Sequence, residues 1–341
     1  MWLNNILKRA FPRLYRLFCE SLTGLALAKE RRFVRKNPMD KADALFFNTY
    51  GRHIDWDNPQ DLMEKINWLK FHSDPYEWAR LADKYAVRDY VRSAGLEDIL
   101  LPLYGAWRSV SGVMRAWDSL PDEFVLKSSN GSGRLIIVRE DKGGKKAVDK
   151  KALRKTLRSW LREKDYGLLK TEFHYSLIRK TRILAEKLLR DRETDVLSSS
   201  LIDYKVWCLN GKPFGCFVAA DRKTGGDYSV DWYDLNWNRH SEYMSGKILD
   251  FEIPRPEKWG RMLEIAEKLS QGHEQVRIDL YYVDGKVYFG EMTFSTASGF
   301  SKSYGETILT EMGSRIQLDL DRPFNRFAGK DKRIVHKTAV R

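Results

Sequence analysis

The sequence predicts an α+β protein, and three observations carry that prediction. Apolar residues recur at helical spacing up to about residue 120, and then strand-like alternation begins. Two dipeptides that favour tight β-hairpins, Asn210-Gly211 and Asp284-Gly285, each lie between alternating runs. Helical stretches at 148–163 and 256–270 are mixed with hairpins rather than alternating regularly with strands, which argues against a doubly wound parallel sheet. With 341 residues, 43% of them hydrophobic, the chain can bury a large core and build two or three lobes.

Residues 1–36 hold nine bases and two acids, a charge of +7 out of a net +13. Leu3, Ile6, Leu7, Ala10, Phe11, Leu14, Leu17 and Phe18 recur at helical spacing, so a basic amphipathic helix is expected. Such a helix either lies on an anionic membrane surface or docks on the protein's own body, and both readings stay open here. Charges interrupt every hydrophobic core a signal peptide would need, and no apolar run reaches the roughly 18 residues of a membrane span. A pI near 9.4 invites nucleic acid as a partner, but no recognisable binding module accompanies the charge, so none is expected. Cys19, Cys208 and Cys216 show no metal-ligand spacing and suit a reducing cytosol. The expected location is cytoplasmic, peripheral to the inner face of the plasma membrane if the basic helix binds lipid.

Residues 37–120 read as helical with short breaks. Asp57-Asn58-Pro59 offers a cap and a starting proline for a helix from Gln60 to Phe71, with Leu62, Ile66 and Leu69 as its stripe. A second helix is expected from Trp78 to Ser93, ending before Gly95. Strands at 123–127 and 134–138 flank the turn Ser128-Ser129-Asn130-Gly131-Ser132-Gly133. A basic helix at 148–163 turns Leu153, Leu157, Trp160 and Leu161 inward, and a buried strand at 182–189 follows. Residues 203–208 and 214–220 form a hairpin around Asn210-Gly211.

The densest chemical signal is the hairpin at 276–294. Ile278, Leu280 and Tyr282 share one face of its first strand, and Tyr288, Met292 and Phe294 suit the same side of the second. The other face then carries Arg277, Asp279, Glu291 and Thr293. A three-residue turn with Gly285 left-handed pairs Val283 with Val287 and sets Asp279 opposite Glu291, about 5 Å apart at Cβ. A strict two-residue loop shifts the register and sends the carboxylates to opposite faces. Two facing carboxylates repel unless a cation lies between them, and hard oxygen ligands suit Mg²⁺. A solvated hairpin face with incidental charges is the plain alternative.

Lys127 ends a strand just before the Ser/Asn/Gly turn, where glycines let backbone N–H groups approach a polyphosphate. The G-x-x-x-x-G-K-[ST] spacing is absent, so this is no Walker A loop. Six scattered histidines lack zinc-ligand spacing, and no G-x-S-x-G elbow is present.

Taken in order, Asp83-Lys84, Phe124-Val125-Leu126-Lys127 with its glycine loop, Ile183-Leu184-Ala185-Glu186-Lys187-Leu188-Leu189, Arg277-x-Asp279 and Glu291-x-Thr293 resemble the ATP-grasp superfamily. The segments 58–70, 203–213 and 289–294 are similar to its TupA-like branch, associated with teichuronopeptide and surface-polysaccharide synthesis. The likeness spans about 45–310 and implies two α+β lobes clasping ATP, with a helical N-terminal extension. With the charge pattern, this divides the chain into a basic helix at 1–36, a helical subdomain at 37–120, a small lobe at 121–190, a large lobe at 191–325 and a basic tail at 326–341.

The resemblance also implies roles. Lys84 and Lys127 neutralise phosphates of ATP, and Ser129, Asn130, Gly131, Ser132 and Gly133 close over them. Glu186 and the backbone near Leu188 read the adenine edge, Glu193 contacts the ribose, and Lys205 and Arg222 stand near the phosphates. Asp279, Glu291 and Thr293 hold Mg²⁺, with Thr293 where the wider family has asparagine. Arg277 steadies charge developing in the transition state. The implied activity is phosphorylation of a carboxylate followed by amide formation with an amine, on a small molecule, a glycan or a lipid-linked sugar of capsule assembly. Ser295-Thr296-Ala297-Ser298-Gly299 is a candidate carboxylate cradle, and Trp232, Tyr233, Asp234 and Trp237 a candidate sugar platform. Two other readings are a glycosyltransferase using Asp55-x-Asp57 or Asp319-x-Asp321, and a non-catalytic scaffold at the membrane.

Overall fold

A computed structural model describes residues 12–190, 198, 200–221 and 228–329, with side chains from residue 23 onward. Two antiparallel sheets organise the chain. Strands β1 (Leu103–Trp107), β2 (Phe124–Ser128), β3 (Leu135–Val138) and β4 (Ile183–Glu186) form the smaller, in the order β1-β4-β2-β3. Strands β5 (Asp203–Leu209), β6 (Lys212–Ala220), β7 (Ser229–Tyr233), β8 (Gln275–Val283) and β9 (Lys286–Thr293) form the larger, in the order β7-β6-β5-β8-β9. Strand β1 lies inside the stretch expected to be helical, because its pairing with β4 is a long-range contact with no local signal.

The small sheet keeps one apolar face. Phe124, Leu126, Ile183 and Ala185 point to it and are covered by Val113 and Trp117 on one side of the chain and Leu153, Leu157 and Trp160 on another. The last three come from the expected basic helix, which runs Lys150–Arg162 and is capped by Asp149. By alternation, Val125, Lys127, Leu184 and Glu186 occupy the opposite face. The large sheet packs against the helix Trp259–Ser270 and shares its core with the N-terminal helices, including Phe46, Met63, Trp68 and Trp78.

The helix expected from Gln60 begins at Leu62 instead and runs to His72. Asp61 is the cap: its side chain accepts from Glu64 N (2.9 Å), and Glu64 reaches back to Asp61 N (3.4 Å). Arg52 pairs with both carboxylates. The helix expected from Trp78 to Ser93 is two, Pro75–Ala82 and Val87–Ser93. Asp83 breaks it, because its carboxylate accepts from Tyr85 N (2.8 Å) and Ala86 N (3.3 Å).

The β8–β9 hairpin corrects the expected turn while keeping its consequence. Its loop has two residues, Asp284 and Gly285, both left-handed, and Val283 pairs with Lys286. A bulge restores the lost register: Leu280 pairs with Phe289 and Asp279 with Glu291, leaving Gly290 as the extra residue. A Cβ on Gly290 would lie 2.9 Å from Asp279 O, so only glycine fits that close approach. The two-residue loop also pairs Tyr288 with Tyr281 and so moves it off the expected face, to pack with Leu101, Leu189 and Val283.

Candidate active site between the two sheets

Arg277, Asp279, Glu291 and Thr293 share one face of β8 and β9, paired Arg277 with Thr293 and Asp279 with Glu291. Arg277 forks onto Asp279, with Nε 2.7 Å from Oδ1 and Nη2 2.8 Å from Oδ2. The same Nη2 lies 3.3 Å from Thr293 Oγ1 and 3.9 Å from Glu291 Oε1. Lys205, opposite Asp279 on β5, donates to Asp279 Oδ2 at 2.6 Å and lies 3.4 Å from Asp203. The protein's own cations thus separate the two carboxylates that would otherwise repel. Burial opposes the Arg277 charge, but Asp279 and Glu291 outweigh it and raise its pKa. Burial alone would raise Glu291; Lys84, Lys205 and Arg277 overcome this and hold it at about 2.

Lys84 arrives from the Asp83 break. Its backbone N–H donates to Ser129 O (3.0 Å), its ammonium to Gly131 O (2.8 Å), and the ammonium lies 3.2 Å from Glu291 Oε2. One lysine therefore ties the glycine loop of the small sheet to the acidic strand of the large one. Within that loop, Ser129 and Asn130 are buried scaffold: Ser129 Oγ accepts from Arg182 N (3.1 Å), and Asn130 donates to Tyr175 O (3.2 Å). Gly131 is left-handed beside the Tyr166 ring, and Ser132 N donates to Tyr166 OH (2.9 Å). Ser132 and Gly133 face a cavity of about 540 Å³ that Arg277, Glu291, Thr293 and Ser298 also line. A second cavity of about 340 Å³ adjoins it through Arg277 and Glu291 and reaches Lys205, Phe217 and Tyr304.

Lys127 belongs to a separate group. Its ammonium lies 3.1 Å from Glu186 Oε2, and Arg88 approaches Glu186 Oε1 at 3.5 Å. Leu188 is buried just past β4, next to Lys187, whose N–H donates to Pro102 O (3.0 Å). Glu193 and Arg222 lie outside the described residues. So the structure joins Lys84, Gly131, Lys205, Arg277, Asp279, Glu291 and Thr293 in one network, and sets Lys127 with Glu186 on the small sheet.

Two features escaped the sequence reading. Leu135 and Ile137 are 46% and 45% exposed on the face that carries Lys127 and Glu186, an apolar patch at the strand expected over 134–138. Beneath the cavity, Ala297, Ser298 and Gly299 are left-handed in succession (φ 43°, 62° and 80°). Glu172, itself buried, holds this turn by accepting from Ser295 Oγ (2.6 Å) and Ser298 Oγ (2.8 Å). Lys70 donates to Asn67 Oδ1 (2.8 Å) and to Ser298 O, and Asn67 donates to Gly299 O (2.9 Å). The signal was present in the sequence: Asn67 and Lys70 sit on the apolar stripe of their helix, one turn apart.

Other expectations resolve simply. Trp232 and Tyr233 are buried and Trp237 stacks on Tyr233 at 4.4 Å, so this cluster is packing rather than a sugar platform. Asp55 accepts from Asp57 N and Asn58 N, and Asp319 from Asp321 N, so both Asp-x-Asp pairs shape local turns. Among the described residues no helix is long and apolar enough to cross a membrane.

Magnesium can be tested against the donor set. Among the described residues no three His, Cys, Asp or Glu side chains converge for a metal, leaving two carboxylates and the Thr293 hydroxyl. All are hard oxygen donors, and Glu291 and Thr293 face the larger cavity, which suits Mg²⁺. Asp279 has both oxygens engaged by Arg277 and Lys205, so joining a metal requires it to release one of them.

Two α+β lobes facing each other across this charged network define the class, an ATP-grasp enzyme. A family model described as TupA-like ATPgrasp matches residues 64–317, and the chain belongs to that family. The expected fold and ligase class are thereby met. Solved structures similar to it include the ATP-grasp ligase PsnB complexed with minimal precursor (11% identity, TM-score 0.38, covering 74% of this chain and 67% of that one). Another is the D-alanine–D-alanine ligase of Helicobacter pylori (17% identity, TM-score 0.37, covering 74% and 62%). A third is the D-alanine–D-alanine ligase of Bacillus anthracis (13% identity, TM-score 0.38, covering 70% and 67%). No curated protein matches the chain.

Proposed function

We propose that the protein joins a carboxylate to an amine in an ATP- and Mg²⁺-dependent reaction, through an acyl phosphate, in assembly of a bacterial surface or capsular polysaccharide. One observation carries the ligase reading: Lys84 spans from the glycine loop to Glu291, beside Arg277 and a cavity of about 540 Å³. Lys84, from the break between two helices, meets the acids and bases of the large sheet where phosphates would be gripped. The polysaccharide assignment rests on the family's association alone, and a glycan or lipid-linked sugar is its proposed acceptor.

In this reading Lys84 and Lys127 bind phosphate oxygens, while Glu186, the backbone at Leu188 and the Leu135–Ile137 patch receive the adenine. Ser132 and Gly133 present backbone to the phosphates. Mg²⁺ would be held by Glu291, Thr293 and Asp279, and when bound would supply neutralisation of phosphate charge. Arg277 is forked onto Asp279 yet borders both cavities, where it can stabilise oxyanion charge as the phosphoryl group leaves ATP for the carboxylate. The Ser295–Gly299 turn orients that carboxylate. The amine then attacks the acyl carbon, forming the amide and releasing phosphate.

The test is ADP release screened over amino acids and uronic-acid glycans, with Glu291→Gln as control. Release that needs both a carboxylate and an amine, and that falls at least about a hundredfold in the variant, is expected. Full activity in Glu291→Gln would sink the site assignment. Turnover of a sugar nucleotide without ADP release would replace the ligase with the glycosyltransferase reading.

A further inference from the structure

Residues 101–190 hold 21 Lys and Arg against 10 Asp and Glu, a net charge of +11 in a chain of +13. The densest part of this surplus is the helix Lys150–Arg162. Leu153, Leu157 and Trp160 fix it to the face of the small sheet opposite Lys127 and Glu186, so its outer side looks away from the nucleotide cleft. That side carries Lys151, Arg154, Lys155, Arg158 and Arg162, all exposed, and among the described residues none has an acidic partner. Lys150 continues the row, with the exposed Asp118 at 3.9 Å.

Spacing makes this row costly. Lys150, Arg154, Arg158 and Arg162 follow one another at four-residue intervals, as do Lys151 and Lys155, and like charges so placed destabilise a helix. Bases on some other helices sit beside acids, as Arg80 with Glu77, Arg92 with Asp89 and Arg261 with Glu264.

The row is also extended at one end. Arg115, from the helix Val110–Ala116, joins Arg154 and Arg158 around a groove of about 370 Å³ that Val110 and Met114 also line. Guanidinium groups fork onto phosphate oxygens, and their aliphatic stems beside Met114 and Val110 suit a headgroup region.

We infer that this outer face of the small lobe docks the protein on an anionic lipid surface, with Arg115, Arg154 and Arg158 holding phosphate headgroups and the nucleotide cleft facing away. A bilayer is the occupant the shape favours, because the bases line a rigid, outward-bulging helix about 20 Å long rather than a channel that could track a single polymer strand.

The full chain is sedimented at physiological salt with vesicles of phosphatidylcholine alone or mixed with phosphatidylserine, and compared with the Arg115→Gln/Arg154→Gln/Arg158→Gln variant. The N-terminal helix is intact in both proteins, so its contribution cancels. Wild type should bind only the anionic vesicles, and the variant should partition on the order of a hundredfold more weakly. Its ADP release should match wild type, because none of the three residues touches the cleft, and its thermal melt should be no lower, because the substitutions relieve like-charge repulsion along the helix. Equal binding by the two proteins overturns the assignment, as does wild-type binding to heparin without binding to the anionic vesicles.

Discussion

Arg277 and Glu291 show how a few side chains can keep a site charged before any ligand arrives. Arg277 neutralises Asp279 through a forked contact and still borders both cavities. Arg277→Ala should lower kcat by about 10²–10³-fold, as loss of an oxyanion-stabilising donor does, with less effect on the KM for ATP; steady-state ADP release checks this. Glu291 has a pH signature. Its carboxyl titrates near about 4.3 when unfolded and at about 2 when folded, so folding favours the ionised form. The stability it contributes is complete above the unfolded value and disappears as pH falls toward 2. Urea midpoints of wild type and Glu291→Gln should therefore converge between about pH 5 and pH 2. A difference that stayed constant across that window would show that Glu291 carries no such shift. The types of these residues were legible in the sequence, but their mutual neutralisation was not, since Lys84 and Lys205 come from segments far away in the chain.

At the level of elements, backbone geometry decides where the carboxylates point. Asp284-Gly285 announced a hairpin, yet its two-residue loop alone would have placed Asp279 and Glu291 on opposite faces. The bulge at Gly290 reverses that outcome. Gly290→Ala brings a methyl group within 2.9 Å of Asp279 O and should cost about 1–3 kcal/mol, with a larger loss of activity than of stability; denaturation and ADP release together measure both. The Ser295–Gly299 turn depends on a different support. Lys70→Met would leave Glu172 buried without its compensating charge and is expected to destabilise by about 3–5 kcal/mol. Because the same network holds the left-handed residues 297–299, the KM for the carboxylate should rise more than the KM for ATP. Helix starts were read to within a few residues, and the misread break at Asp83 matters most, because it delivers Lys84 to the glycine loop.

Across the whole molecule, Lys84 already bridges the lobes through Gly131 and Glu291, so ligand has a preformed contact to strengthen. ATP with Mg²⁺ at about 100 times Kd should stabilise the fold by about 2.7 kcal/mol. The melting temperature should rise by a few degrees, and Glu291→Gln should lose the part that EDTA removes. A Mg²⁺-dependent rise unchanged in that variant would place the metal elsewhere. Charge asymmetry also emerges only at this scale. The N-terminal +7 was visible as a block, whereas the +11 of residues 101–190 is spread through the sequence, and its densest part lies on the outer side of the helix Lys150–Arg162.

Hydrophobic periodicity and hairpin dipeptides depend on neighbours a few residues apart, and for that reason the element types and the α+β class could be read from the chain alone. Strand β1, the Gly290 bulge, the Lys70–Glu172 support and the exposed Leu135–Ile137 face depend on partners distant in sequence. Long-range pairing and burial leave no short-range pattern, so folding in three dimensions decided them.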